Sequence, residues 1–235
     1  MAADPSASAL PQVTGPRDKV RLVFRKDGPL RWLSHHDLMR TFERMLRRSG
    51  LPFHSTQGFN PHPRLVFALP LPVGVIGRAE VADLELAEQL SLEEIQSKLA
   101  RECPSGLTIL EVSRIPVRTT AHVRGFTYAI EVPADRRAAV LARIPAVLAL
   151  TAWKVERMKP APRVVDIRPF LQDLRLDPDT GWLEMELALL PAGTARPEEI
   201  LGLLEQPDLL ETGATLERVR LHLEVEPPPP SSGTE

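Results

Sequence analysis

The order in which strand-like and helix-like stretches alternate constrains this chain more than any other feature. Over residues 19–25, Val20, Leu22 and Phe24 alternate with Lys19, Arg21 and Arg25, the period-two pattern of a half-buried strand with a basic outer face. Ser34-His35-His36-Asp37 then reads as a helix entry: Ser34 can cap open N–H groups, and acidic Asp37 lies in the positive first turn. Leu38, Met39, Phe42, Met45 and Leu46 recur at helical spacing, and Gly50 supplies the stop. Two apolar runs, near residues 51–56 and 65–69, compete for the second strand, and Pro70 and Pro72 hold the later one to an edge. Residues 80–86 alternate as a strand, residues 91–102 open with Ser91 and Glu94 in capping-box spacing, and residues 107–112 read as a strand again. The sum is β-α-β-β-α-β, the order of a ferredoxin-like unit.

The second half repeats that order without a residue-level repeat. Residues 126–132 read as a strand, 134–144 as a helix stopped at Pro145, and 148–158 contain a further strand. Residues 171–176 and 182–190 flank Asp177-Pro178-Asp179-Thr180-Gly181, a hairpin signal with glycine at the turn. Pro197 suits the first turn of a helix running to about residue 206, and residues 215–225 alternate as the last strand. A length of 235 residues accommodates two such units. The expected architecture is therefore α+β, with two tandem ferredoxin-like units. The chain divides into a disordered arm over 1–18, a first ferredoxin-like domain over 19–116, a linker over 117–125, a second ferredoxin-like domain over 126–226 and a disordered Pro-rich tail over 227–235. Aromatic residues make up 5% of the chain, so the cores are aliphatic.

A formal net charge of −2 hides an alternation along the chain. Residues 18–64 carry 10 basic and 4 acidic side chains, residues 78–111 carry 3 and 8, residues 114–175 carry 12 and 5, and residues 177–235 carry 3 and 13. Two basic blocks result, of the kind that meets an anionic partner, or that simply faces solvent. In the first block Arg40, Arg44, Arg47 and Arg48 fall on the side of the helix opposite its apolar face. The guanidinium fork suits phosphate, and arginines at helical spacing can follow a nucleic-acid backbone.

After the helix comes Gln57-Gly58-Phe59-Asn60-Pro61-His62-Pro63-Arg64, in which Gly58 allows positive φ and two prolines stiffen the chain. Such a loop presents Phe59, Asn60, His62 and Arg64 at little entropic cost. Phe59 and Trp32 read either as anchors buried in small cores or as stacking surfaces for bases. His35, His36, Asp37, His54 and His62 offer imidazoles and a carboxylate for a metal or for proton transfer, but adjacent His35 and His36 point about 100° apart on a helix and are poorly placed to share one ion, so a site would need one of them with His54 or His62 brought close by folding. No metal site is assigned. Asp166 and Arg168 read as neighbours on one strand face, pairing with each other, orienting the loop or contacting a substrate. Cys103 is the only cysteine, so an intrachain disulfide and a cluster held by this chain's thiolates alone are excluded, and a reducing cytoplasm fits. No signal peptide or membrane span is expected, and the sequence sets no oligomeric state.

Residues 31–40 (Arg31-Trp32-Leu33-Ser34-His35-His36-Asp37-Leu38-Met39-Arg40), the loop residues Gln57-Gly58-Phe59-Asn60-Pro61-His62-Pro63, Leu69-Pro70-Leu71-Pro72-Val73-Gly74 and Val165-Asp166-Ile167-Arg168-Pro169 together resemble the radical SAM-linked protein family, a domain of unknown function. The resemblance covers roughly residues 19–225. It implies a radical SAM protein as partner, and on that partner an iron–sulfur cluster and S-adenosylmethionine, with no cofactor on this chain alone. It implies no catalytic residues. The expected role is a non-catalytic companion that holds a substrate, RNA being the one suggested by the arginine stripe. The alternatives are a protein–protein adaptor without substrate contact and an independent His/Asp metal or acid–base enzyme.

Overall fold

A computed structural model describes residues 18–224. The expected tail, and the expected arm apart from Asp18, lie outside the described residues. The first half runs β1 (Asp18–Lys26), α1 (His35–Ser49), β2 (Leu65–Phe67), β3 (Ile76–Leu86), α2 (Leu92–Glu102) and β4 (Leu107–Arg114). The second runs β5 (Val123–Glu131), α3 (Ala134–Leu148), β6 (Lys154–Arg157), β7 (Arg163–Asp166), β8 (Leu171–Leu176), β9 (Trp182–Ala188), α4 (Pro197–Leu203) and β10 (Glu217–Leu223). It is a mixed α/β chain built on an eight-stranded sheet in the order β4-β1-β3-β10-β5-β9-β8, with β2 beside β3. No described helix is long and apolar enough to cross a membrane.

Every neighbouring pair in the large sheet is antiparallel except β3 and β10, which run parallel where Ile76 meets Glu217 and Gly77 meets Arg218. That pair is the seam between the halves. Glu217 and Arg218 are successive strand residues and so point to opposite faces. Each finds a partner on β3: Glu217 takes a bidentate bond from Arg78, and Arg218 donates Nε to Glu80 Oε1 at 2.9 Å. Arg218 Nη2 also donates to Glu80 Oε2 at 2.5 Å, and Nη1 and Nη2 reach the carbonyls of Pro70 and Leu69, each at 3.1 Å. Arg218 is 1% exposed and Glu80 3%, so the pair is desolvated, and Nε, Nη1 and Nη2 of Arg218 each find a protein acceptor.

Two cores flank the seam. Val20, Leu22 and Phe24 of β1 pack with Ala82, Leu84 and Leu86 of β3 under Leu38, Phe42, Met45 and Leu46 of α1 and Ile95 and Leu99 of α2. Phe24, Phe42 and Phe67 meet edge to face, with centroids 4.9–5.7 Å apart. The second core gathers Phe126, Tyr128 and Ile130 of β5, Val140 and Ile144 of α3, and Leu183, Met185 and Leu187 of β9. Cys103 fills space against Met45, and burial pushes its thiol pKa up, favouring the thiol over the thiolate.

The structure revises several expectations. Residues 51–56 form only isolated bridges at Phe53 and Ser55, and Leu65–Phe67 is the true second strand because it has the free edge of β3 to pair with, Leu65 opposite Leu84. Helix α3 runs through Pro145 to Leu148; the carbonyl that Pro145 leaves unbonded belongs to exposed Leu141, where water can serve it. The expected linker over 117–125 is partly strand, since β5 starts at Val123 and Gly125 pairs with Ala188. The strand expected within 148–158 is β6, but it pairs with β7 in a separate ribbon, pinned by Arg157 on Glu199 and on the Thr194 carbonyl. Helix α4 ends at Leu203, short of residue 206.

Candidate functional site

Helix α1 begins as its sequence dictates. Ser34 Oγ accepts the Asp37 N–H at 3.2 Å and donates to Asp37 Oδ2 at 2.7 Å, and Gly50 closes the helix at φ +65°. His35 lies edge-on to Phe67 at 5.5 Å, and His36 is exposed beside it. Burial, with His36 and Lys26 adding positive charge nearby, lowers the His35 pKa, so the ring is neutral near pH 7. Lys26 is itself buried, with Nζ near the Leu33 carbonyl at 3.4 Å, and burial lowers its pKa against the pull of Glu80.

The arginine stripe divides by use. Arg47 bonds Glu43 at 2.7 Å and the Pro61 carbonyl at 3.2 Å, and Arg48 bonds the Glu102 carboxylate at 2.8 Å. These two tie α1 to the loop and to α2. Arg40 lies 3.5 Å from Asp37 with its side chain 74% exposed, and exposed Arg44 reaches Thr41 Oγ1 at 3.4 Å. Both remain turned to solvent.

The loop is fixed at both ends and open at its tip. His62 accepts through its carbonyl from Thr56 N–H at 2.8 Å, its own N–H reaches Thr56 Oγ1 at 3.1 Å, and its Nδ1 meets Glu43 Oε2 at 3.2 Å. Arg64 pairs with Glu85 of β3. Burial would raise the Glu43 carboxyl, but hydrogen bonds from Arg47 and His62 outweigh it and hold the group below its ordinary range. Between these anchors Gly58 adopts φ +136°, Asn60 is exposed, and Phe59 projects wholly into solvent. Phe59 and Trp32, the latter 61% exposed, are thus presented rather than buried.

Asp166 and Arg168 do not share a strand face, because β7 ends at Asp166 and Arg168 begins a short 3-10 turn. Asp166 Oδ1 accepts the N–H groups of Trp153 at 2.8 Å and Arg168 at 3.1 Å. The Arg168 guanidinium donates to the carbonyls of Leu148, Leu150 and Leu171 at 2.7–2.8 Å, clasping the end of α3. Their bonds stay inside the second half, whereas the loop's bonds run to α1 and β3. The histidines are likewise scattered: His35 faces Phe67, His62 faces Glu43, and the His54 N–H bonds the Glu85 carbonyl. Among the described residues no group of three or more His, Cys, Asp or Glu could hold a metal ion.

A second feature had no signal of its own in the sequence. Between the halves opens a cleft of ≈ 610 Å³. Its floor includes buried Phe126 and Tyr128, and its rim carries Arg31, Arg196, Glu198 and Thr215. Burial raises the Tyr128 pKa, so its hydroxyl stays protonated. One wall is Trp32. The Arg31 guanidinium lies 4.9 Å over its ring, the Arg31 carbonyl accepts the Gly74 N–H at 2.8 Å, and Arg31 Nη1 donates to Thr215 Oγ1 at 3.3 Å. Gly74 sits at φ +87°, and a Cβ there would come within 3.1 Å of the indole. Arg31-Trp32 and Pro72-Val73-Gly74 are legible as motifs, but the residues that line the cleft opposite them are spread from Phe126 to Leu216.

Among curated proteins none matches the chain. Of solved structures, the crystal structure of an unknown protein from Galdieria sulphuraria is similar at 16% identity and a TM-score of 0.26, over 89% of this chain and 100% of that one. A family model described as "Uncharacterized protein conserved in bacteria (DUF2344)" matches residues 19–197, a span that takes in α1, the loop, the seam strand β3 and most of the second half, and the chain belongs to that family.

Proposed function

We propose that the chain is a non-catalytic, cytoplasmic companion of a radical SAM enzyme and holds an RNA substrate on the surface formed by α1 and the 57–64 loop. On this reading the scaffold is two tandem ferredoxin-like units. Supporting it, β4-β1-β3-β2 and β10-β5-β9-β8 are the same order when each half is numbered from its own first strand, with the β6–β7 ribbon as an addition. The observation that carries the RNA reading is Phe59, fully exposed on a loop bolted to the helix that presents Arg40 and Arg44. An exposed aromatic on a loop tied to a helix whose outer guanidinium groups face solvent offers both base stacking and phosphate contact.

The test is binding of single-stranded RNA by the purified chain across a salt series. Affinity should fall with salt, Arg40→Ala with Arg44→Ala should flatten the slope, and Phe59→Ala should weaken binding by about 1–3 kcal/mol. Salt-insensitive binding, or none, removes RNA from the proposal. An adaptor reading has its own support in exposed Met158, just past β6, and exposed Val164 of β7, and a pull-down of the radical SAM protein that survives nuclease and is lost on Val164→Asp would favour it.

A further inference from the structure

We propose that the cleft between the halves binds a nucleoside monophosphate unit: a planar base, a sugar with free hydroxyls and a phosphate. The cleft volume, ≈ 610 Å³, is that of a small-molecule site. Its wall is a stacking platform. Trp32 is 61% exposed, yet Arg31 above the ring and Gly74 against its edge fix its orientation. A tryptophan pinned in place with most of its surface in water offers a flat apolar face at little further entropic cost. The rim supplies two guanidinium groups, Arg31 and Arg196, against one carboxylate, Glu198, so an anion is favoured there. Glu198 is an acceptor for sugar hydroxyls. The floor is stiff as well, because Tyr128 packs edge-on to Phe126 at 5.3 Å and lies in register opposite Arg218 of β10, which the seam holds.

The unit has two sources, a free nucleotide or the 5′-phosphorylated end of an RNA strand; only the second rests on the RNA reading above. Calorimetric titration of the whole chain with AMP, GMP, CMP, UMP, adenosine and inorganic phosphate, and with a 5′-phosphorylated tetranucleotide, separates them. At least one nucleotide should saturate the protein, with adenosine and phosphate each weaker. Trp32→Ala and Arg196→Ala should each weaken it about tenfold, Trp32→Phe should restore most of the loss, and Phe59→Ala should change nothing. Both cleft side chains are exposed, so these variants keep the fold, which circular dichroism checks. A tetranucleotide about tenfold tighter than the mononucleotide assigns the strand end, and equal or weaker binding assigns the free nucleotide. The proposal is overturned if no nucleotide saturates by about 1 mM, or if both cleft variants bind as the parent does. Loss of RNA affinity in Phe59→Ala with nucleotide affinity intact locates the two sites separately.

Discussion

Arg218 and Arg44 are the same side chain in opposite surroundings. Arg218 is almost wholly buried, and its donors go to Glu80 and to the carbonyls of Leu69 and Pro70. Arg44 stands in water on the outer face of α1, with Thr41 Oγ1 at 3.4 Å as a weak contact. A buried guanidinium must have every donor answered by the protein, so its position is over-determined and it fixes how the halves meet. An exposed one is already satisfied by water, contributes little to stability, and can exchange that water for a phosphate. The same distinction divides the residues singled out in the sequence: Arg168 belongs with Arg218, and Arg40 with Arg44.

The largest effect expected is at the seam. Arg218→Met leaves Glu80 charged and buried without its partner, at a cost of about 3–5 kcal/mol, read as a lower urea midpoint. Adding Glu80→Leu should recover much of that loss, because the uncompensated charge goes too. If Arg218→Met were as mild as a surface change, the seam would not be what joins the halves.

Arg168→Ala comes next. It strands the carbonyls of Leu148, Leu150 and Leu171 at the end of α3, at a cost of about 1–3 kcal/mol. Its RNA affinity should match the parent's. A variant that keeps its stability and loses RNA binding would move Arg168 into the substrate surface and break the grouping with Arg218.

How much of this was open to sequence reasoning follows from distance along the chain. Helix α1 was legible because its cap, apolar face and stop are local: Ser34 does bond Asp37, and Gly50 does turn left-handed. The second strand was ambiguous because residues 51–56 offer Leu51 and Phe53 while the wholly apolar residues 65–69 run into Pro70 and Pro72, and only the edge of β3 chooses between them. Arg168 stood out beside Asp166, but nothing in five residues says that a guanidinium will reach back to Leu148. The stripe on α1 looked uniform, yet Glu102, 54 residues beyond Arg48, takes that side chain. The cleft was illegible for the same reason, since Arg31 and Thr215 come from opposite ends of the fold.

A smaller effect separates the anchored arginine from the free ones. Glu43 has a depressed pKa in the fold, so its contribution to stability is present above the ordinary glutamate range and is lost as pH falls through the folded value. Hydrogen-exchange protection over residues 57–64, taken relative to the intrinsic rate at each pH, should therefore fall on acidification past that range, and Glu43→Gln should show the lower protection already at neutral pH. The stability cost is under about 1 kcal/mol, because the group is partly exposed. Unchanged exchange in Glu43→Gln would mean that the Arg47 bond to the Pro61 carbonyl holds the loop without the carboxylate.

The smallest effect on stability is expected at Arg40 and Arg44. Changing both to Ala should shift the unfolding free energy by no more than about 0.5 kcal/mol, because their contacts are exposed. Arg47→Ala and Arg48→Ala remove bonds to the loop and to α2 as well as charge. If charge alone governs RNA affinity, all four substitutions reduce the salt slope alike, each by about one phosphate contact. If presentation governs it, Arg47→Ala costs more affinity than Arg44→Ala, because it frees the loop that carries Phe59. The second outcome is expected here: Arg47 is the one arginine of the stripe bonded to the loop backbone, so it acts partly as Arg218 does, by fixing where another group stands.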